Sequence, residues 1–154
     1  MGTVKSIFLV EDDPDDQEFF VEALNEIENT TLYGIANNGE EALIKLNNPI
    51  RPYLIFMDIH MPRMNGLECL TKIIQTEGCS HIPVIMLSTA VPQIEMARSL
   101  GARGFIEKPS DNRGLKTYLE RIISVDYTLG NNQTDKIFTI LYCPTSTRKK
   151  REFT

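Results

Sequence analysis

The sequence predicts an α/β fold in which a five-stranded, doubly wound parallel sheet carries helices on both faces. Two observations predict it. Short apolar runs alternate five times with stretches whose apolar residues recur at i, i+3, i+4 and i+7, the pattern of strands separated by amphipathic helices. Residues 7–10 (IFLV), 54–57 (LIFM) and 84–87 (VIML) are apolar throughout rather than alternating, as strands buried on both faces of a parallel sheet require. Right-handed crossovers then connect successive strands.

The first strand, 7–10, ends at Glu11, Asp12 and Asp13. Pro14 suits the first turn of a helix, where Asp15, Asp16 and Glu18 complement the helix dipole, and Phe20, Ala23, Leu24 and Ile27 form its core face. A shorter second strand covers 32–36. Asn37, Asn38 and Gly39 turn the chain into a helix marked by Ala42, Leu43 and Leu46, which stops before Pro49. The third strand, 54–57, meets a carboxylate at Asp58; the loop residues Pro62, Asn65 and Gly66 follow, then a helix striped by Leu67, Leu70 and Ile74 that runs to about Gly78. Ser88 and Thr89 end the fourth strand, 84–87; Pro92 opens a helix carrying Ile94, Ala97 and Leu100, and Gly101 is its natural stop. The fifth strand, 104–106, leads to a turn at Lys108 and Pro109, and Leu115, Tyr118, Leu119 and Ile122 stripe the last helix. Nothing repeats at a fixed period, which excludes a solenoid.

After about Val125 the pattern lapses. Residues 126–154 hold Gly130, Asn131 and Asn132, an apolar run over 137–142, and the basic cluster Arg148, Lys149, Lys150 and Arg151. The run reads equally as an added strand, a turn of packed helix or part of a partly disordered tail; the cluster could touch nucleic acid or an acidic partner, but four cations on a terminus are more often simply solvated. A tail of this length is too short for an ordinary independent output domain. Of 154 residues, 42% are hydrophobic and 24% charged, with a net charge of −5; that balance excludes a global signature of nucleic-acid or membrane binding. No apolar run reaches a membrane span and the N-terminus lacks a cleavage pattern, so the expectation is a cytoplasmic protein. Three cysteines, Cys69, Cys79 and Cys143, lack CxxC spacing and imply neither a disulfide framework nor a zinc site. With His60 and His81 the sole histidines, a His-rich metal centre is excluded too.

The strand ends carry the chemistry: Glu11, Asp12 and Asp13 after the first, Asp58 after the third, Ser88 and Thr89 after the fourth, Lys108 after the fifth. A parallel sheet gathers these ends at one edge, where open α/β sheets place ligands. Asp58 could instead cap the next helix, but Asn65 lies much nearer that helix start. Clustered carboxylates repel, and a hard divalent cation relieves the repulsion; Mg²⁺ suits best, since it needs one or two carboxylates and keeps its other positions for water and phosphate oxygens. A lysine and a hydroxyl opposite would stabilise a phosphoryl group, so the set suits an aspartyl phosphate. Asp13, Asp15 and Asp16 could extend the metal site, but a solvated helix N-terminus explains them without it, and Met57, Met61 and Met64 suit core and loop packing better than a redox or copper site.

Glu11-Asp12, Asp58, Ser88 and Lys108-Pro109, with the DxxMPxMNG pattern from Asp58 to Gly66, resemble the CheY-like receiver domain of bacterial two-component response regulators, over about residues 5–125. The resemblance implies a flavodoxin-like sheet of order 2-1-3-4-5, an arrangement for which a chemotaxis receiver is itself a standard example. It implies a receiver over 1–125, a tail over 126–154 without an output domain, and a stand-alone regulator. Asp58 would accept the phosphoryl group; Asp12, Asp58 and the backbone carbonyl of His60 would ligate Mg²⁺, with Glu11 acting through water. Ser88 would hydrogen-bond the phosphoryl group, Lys108 would pair with it, and Phe105 falls at the switch aromatic. Partners implied are a sensor histidine kinase or phosphotransfer protein and a downstream protein meeting the face of the fourth helix, fifth strand and fifth helix. Homodimerisation through that face stays open, and nucleic acid is not expected.

Ser88 stands where Thr is commoner and keeps the hydroxyl; Phe105 lacks a Tyr hydroxyl, so a switch there works through packing alone. His60 and Ala90 lie where the family varies its dephosphorylation, and a small Ala90 would leave water free access to the phosphoryl group. An aspartyl-phosphate hydrolase of the haloacid dehalogenase type needs a second Asp two residues after the nucleophile, where this chain has His60. A degenerate receiver serving only as a binding module is the other alternative.

Overall fold

The computed structural model describes residues 3–88, 93–108 and 114–127. Ten elements follow one another: β1 (Lys5–Val10), α1 (Pro14–Asn25), β2 (Thr30–Ala36), α2 (Gly39–Leu46), β3 (Leu54–Asp58), α3 (Gly66–Gln75), β4 (Val84–Ser88), α4 (Ile94–Ser99), β5 (Gly104–Glu107) and α5 (Leu115–Ile123). The strands form one parallel sheet in the order β2-β1-β3-β4-β5, as expected. Chain order departs from spatial order where β1 passes between β2 and β3, so a crevice opens beside β1 and β3 at their carboxyl ends.

The sheet is packed on both sides. Alternate residues of each strand serve opposite faces: Ile7, Leu9, Leu54, Phe56, Ile85, Leu87 and Ile106 pack with α1 and α5. Phe8, Val10, Ile55, Met57, Val84, Met86 and Phe105 pack with the helices of the other face, α2, α3 and α4. Phe20 of α1 meets Phe56 edge to face at 5.2 Å, fixing α1 over the central strand. Cys69 and Cys79 are buried thiols, consistent with packing. Among the described residues no helix is long and apolar enough to cross a membrane.

Several boundaries differ from the sequence expectation for physical reasons. Helix α3 ends at Gln75 rather than about Gly78, because Thr76 is already extended (ψ 125°) and Gly78 takes a left-handed φ of 83° in the turn beyond. Its most buried residues are Cys69, Leu70 and Ile73, with Leu67 and Ile74 flanking them half-buried, so the core stripe is rotated from the expected one. Strands β1 and β2 begin two residues earlier than their apolar runs, because polar Lys5, Ser6, Thr30 and Thr31 continue the ladder. Asn65 caps α3 in a reciprocal capping box with Glu68, which leaves Asp58 free of that task.

Gly66 is required by close approach: a Cβ there would stand 2.2 Å from the backbone oxygen of Asp58 and 2.8 Å from Cα of Ile59. A methyl group in contact with backbone must displace the β3–α3 loop. Gly66→Ala is expected to cost roughly 1–3 kcal/mol, as overpacking does, read as a lowered urea midpoint. Gly34→Ala, where a Cβ meets nothing within 4 Å, should lose far less; equal losses would refute the close-approach account.

Candidate functional site

Backbone pairing continues one step past three strands and sets where the site side chains emerge. Glu11 N–H donates to Ala36 O at 2.9 Å, Ile59 N–H to Leu87 O at 3.1 Å, and Lys108 N–H to Ser88 O at 2.9 Å. The loop after Asp58 is closed by Gly66 N–H on Ile59 O at 2.8 Å. On the other side Asp13 caps α1, its side chain accepting from the N–H groups of Asp15 and Asp16, with Pro14 in the first turn.

Strand parity decides which polar ends converge. Glu11 continues the Ile7, Leu9 series, Asp58 the Leu54, Phe56 series and Lys108 follows Ile106, all on the α1 and α5 side. Oxygens of Glu11, Asp12 and Asp58 come within 4.8 Å of one another. Glu11 and Asp58 are 1% and 5% exposed, whereas Asp12 faces solvent. The Lys108 ammonium stands 2.8 Å from Glu11 Oε1, 3.0 Å from Asp16 Oδ2 and 3.5 Å from Asp58 Oδ1. The second oxygen of Glu11 accepts from Asp13 N–H at 3.1 Å.

One ammonium therefore serves several carboxylates in a poorly solvated crevice. Burial pushes the Glu11 carboxyl up to about 7, the lysine opposing and the Asp58 charge adding to it. Burial likewise raises Asp58 above the ordinary carboxylate range, against the pull of Lys108 and of the His60 backbone N–H that donates to it. Burial alone would lower Lys108; the bond to Glu11 and the charge of Asp58 outweigh it and hold the ammonium protonated. All-oxygen, over-supplied with negative charge and buried at Glu11 and Asp58, the Glu11, Asp12 and Asp58 set suits a hard cation such as Mg²⁺.

The remaining expected residues divide. Ser88 is fully buried at the end of β4 and follows Val84 and Met86 in parity, on the opposite face from Asp58. Phe105 is buried on that same face, registered against Met86 of β4. The His60 side chain is exposed, consistent with a role for its backbone alone. Thr89, Ala90, Pro92, Pro109, Cys143 and the tail beyond 127 lie outside the described residues. Asp16 is the residue that sequence reasoning missed. A solvated helix N-terminus does not account for it: Asp16 binds Lys108, because it shares the i, i+4, i+7, i+8 stripe of Phe20, Ala23 and Leu24 that faces the sheet. Asp15, one position along, is exposed.

The Glu11 shift has a defined sign. The unfolded chain releases this proton near the ordinary value of 4.5, while the metal-free folded protein holds it to about 7. Between those values the folded state binds more protons, so stability present below 4.5 is lost as pH rises through 7, by on the order of 3 kcal/mol. Urea midpoints without Mg²⁺ should fall over this window in the wild type and much less in Glu11→Gln, and Mg²⁺ should restore stability chiefly at the upper end. Parallel slopes in both proteins would contradict the assignment.

Comparison with known proteins agrees with this geometry. Residues 7–120 match the family described as the response regulator receiver domain. A protein-glutamate methylesterase/protein-glutamine glutaminase of Nitrosospira multiformis is 35% identical over 97 residues, which cover 63% of this chain and 26% of that protein. The chain thus spans about a quarter of that relative's length, and the activity in its name is a property of that whole protein. Among solved structures, the phosphorylated cyanobacterial phytochrome response regulator RcpA matches with TM-score 0.71 at 30% identity, over 77% of this chain and 90% of that one. The Mn²⁺-bound response regulator Rcp1 matches with TM-score 0.69 at 28% identity, over 78% and 92%. Receiver domains are signalling phosphoacceptors that bind Mg²⁺ at an acidic pocket, and the Glu11, Asp12 and Asp58 cluster fits that pocket. By its family match, its fold and its acidic strand-end site, the chain belongs to the response regulator receiver domain family of two-component signalling.

Proposed function

We propose that Asp58 takes a phosphoryl group from the phosphohistidine of a sensor histidine kinase or phosphotransfer protein, and that the chain acts as a cytoplasmic response regulator whose receiver covers residues 1–125. The supporting observation is the placement of Asp58, buried at the carboxyl end of the central strand, within 4.8 Å of two further carboxylates and 3.5 Å from an ammonium.

A carboxylate oxygen of Asp58 attacks phosphorus, the new P–O bond forms as the P–N bond to the donor histidine breaks, and the imidazole leaves with the electron pair and is protonated by solvent. Asp12, Asp58 and the His60 carbonyl would hold Mg²⁺ directly and Glu11 through water; when bound, the ion neutralises charge on the phosphoryl oxygens. Lys108, whose ammonium now donates to Glu11 and Asp16, would turn from these carboxylates to a phosphoryl oxygen. Ser88 supplies the hydroxyl on the α4 side.

The added charge then biases a two-state element. Ser88 and Phe105 lie on one face of adjacent strands, with Met86 of β4 registered against Phe105, so inward movement of Ser88 is coupled to repacking of a side chain that can respond only by shape. The surface of α4, β5 and α5 changes its affinity for a downstream protein as a result.

Intact mass after incubation with acetyl phosphate tests the acceptor. One phosphoryl group is expected on the wild type with Mg²⁺, and none on Asp58→Asn or without the metal. No gain on the wild type, together with no Mg²⁺ binding, would instead support a phosphorylation-independent binding module.

A further inference from the structure

Asp16 has no part in the phosphoryl chemistry above, yet it is one of the closest acceptors of the Lys108 ammonium. We propose that Asp16 is a positioning residue that holds Lys108 against transfer to the phosphoryl group, and so sets how much of the protein is phosphorylated at a given donor supply. This rests on Asp58 being the acceptor.

The geometry supports competition. Lys108 lies 3.0 Å from Asp16 Oδ2 and 2.8 Å from Glu11 Oε1, both within hydrogen-bond range, but 3.5 Å from Asp58 Oδ1, beyond a good bond. The ammonium is thus held by Asp16 of α1 and by Glu11 just beyond β1, farther from Asp58. Asp16 is held there by its helix: Asp13 caps that turn, and the neighbouring Gln17 Nε2 donates to Glu11 O at 2.6 Å and to Asn37 Oδ1 at 2.8 Å. Moving Lys108 onto a phosphoryl oxygen lengthens or breaks the Asp16 bond. Asp16 also adds a negative charge beside the place where a dianionic group must arrive, without being a member of the Glu11, Asp12 and Asp58 cluster. Both effects disfavour the phosphorylated form, and neither requires Asp16 to touch the reacting atoms.

The Asp16 side chain is 38% exposed, so its pair with Lys108 is screened and its influence modest. Asp15 is the internal control: it occupies the same first turn, carries the same charge, is exposed and pairs with no cation among the described residues.

The experiment follows phosphorylated fraction and lifetime by intact mass in the full chain, at fixed acetyl phosphate and Mg²⁺ and then after donor removal, for the wild type, Asp16→Asn, Asp16→Glu and Asp15→Asn. Asp16→Asn is expected to raise the ratio of phosphorylated to unphosphorylated protein by about two- to fivefold, the range such an ion pair spans. Asp16→Glu should fall back toward the wild type, and Asp15→Asn should match it. An unchanged or lowered ratio in Asp16→Asn overturns the proposal, as does an equal rise in Asp15→Asn, which would make the effect one of general charge. If the wild type gains no phosphoryl group, the acceptor assignment itself fails; if it gains one and Asp16→Asn behaves identically, only the role of Asp16 fails.

Discussion

The mutual repulsion of Glu11, Asp12, Asp16 and Asp58 around a single lysine is the constraint on which the crevice depends. Lys108 reaches three of these carboxylates from the end of β5, while Glu11 and Asp58 are almost wholly shielded from water. A buried carboxylate without full compensation raises its own pKa, and burial is the largest cause of the shift at both Glu11 and Asp58. The metal-free site is therefore short of positive charge, which is the property a receiver uses to capture Mg²⁺.

The backbone makes this arrangement rigid. Glu11, Ile59 and Lys108 each extend a ladder by one hydrogen bond beyond the strand that precedes them, so the polar groups emerge from peptides already fixed by the sheet. The β3–α3 loop folds so tightly over Asp58 that only glycine fits at residue 66. Such support from rigid elements is what preorganised chemistry requires, since a shift of an ångström at a reacting group is costly. The helix that closes the crevice, α1, is in turn fixed by Phe20 on Phe56 and by the bonds of Gln17.

The two faces of the sheet divide the work. Acidic and cationic groups project on the side of α1 and α5, where charge is gathered, whereas Ser88 and Phe105 belong to the side of α4. A change at the strand ends can thereby reach a packed, apolar region without crossing solvent. Close-packed cores respond to such a change by discrete rearrangement, which is the physical basis of the switch proposed for Ser88 and Phe105.

Much of this was legible in the residues. Continuous apolar runs at 54–57 and 84–87 can be buried only in a doubly covered parallel sheet, and from that follows the gathering of Glu11, Asp12, Asp58 and Lys108 at one edge. Asn65 marks the start of the helix that follows Asp58. Sequence thus determined the element order, the sheet and the chemical character of the strand ends, because these depend on local periodicity and on chain direction. Tertiary structure alone decided how far α1 leans over the crevice, which makes Asp16 a partner of Lys108 and leaves Asp15 in water. It also decided the burial that lifts Glu11 and the contact that demands Gly66. Those properties arise from distances between residues far apart in the chain, set by packing of whole elements, and no local pattern encodes them.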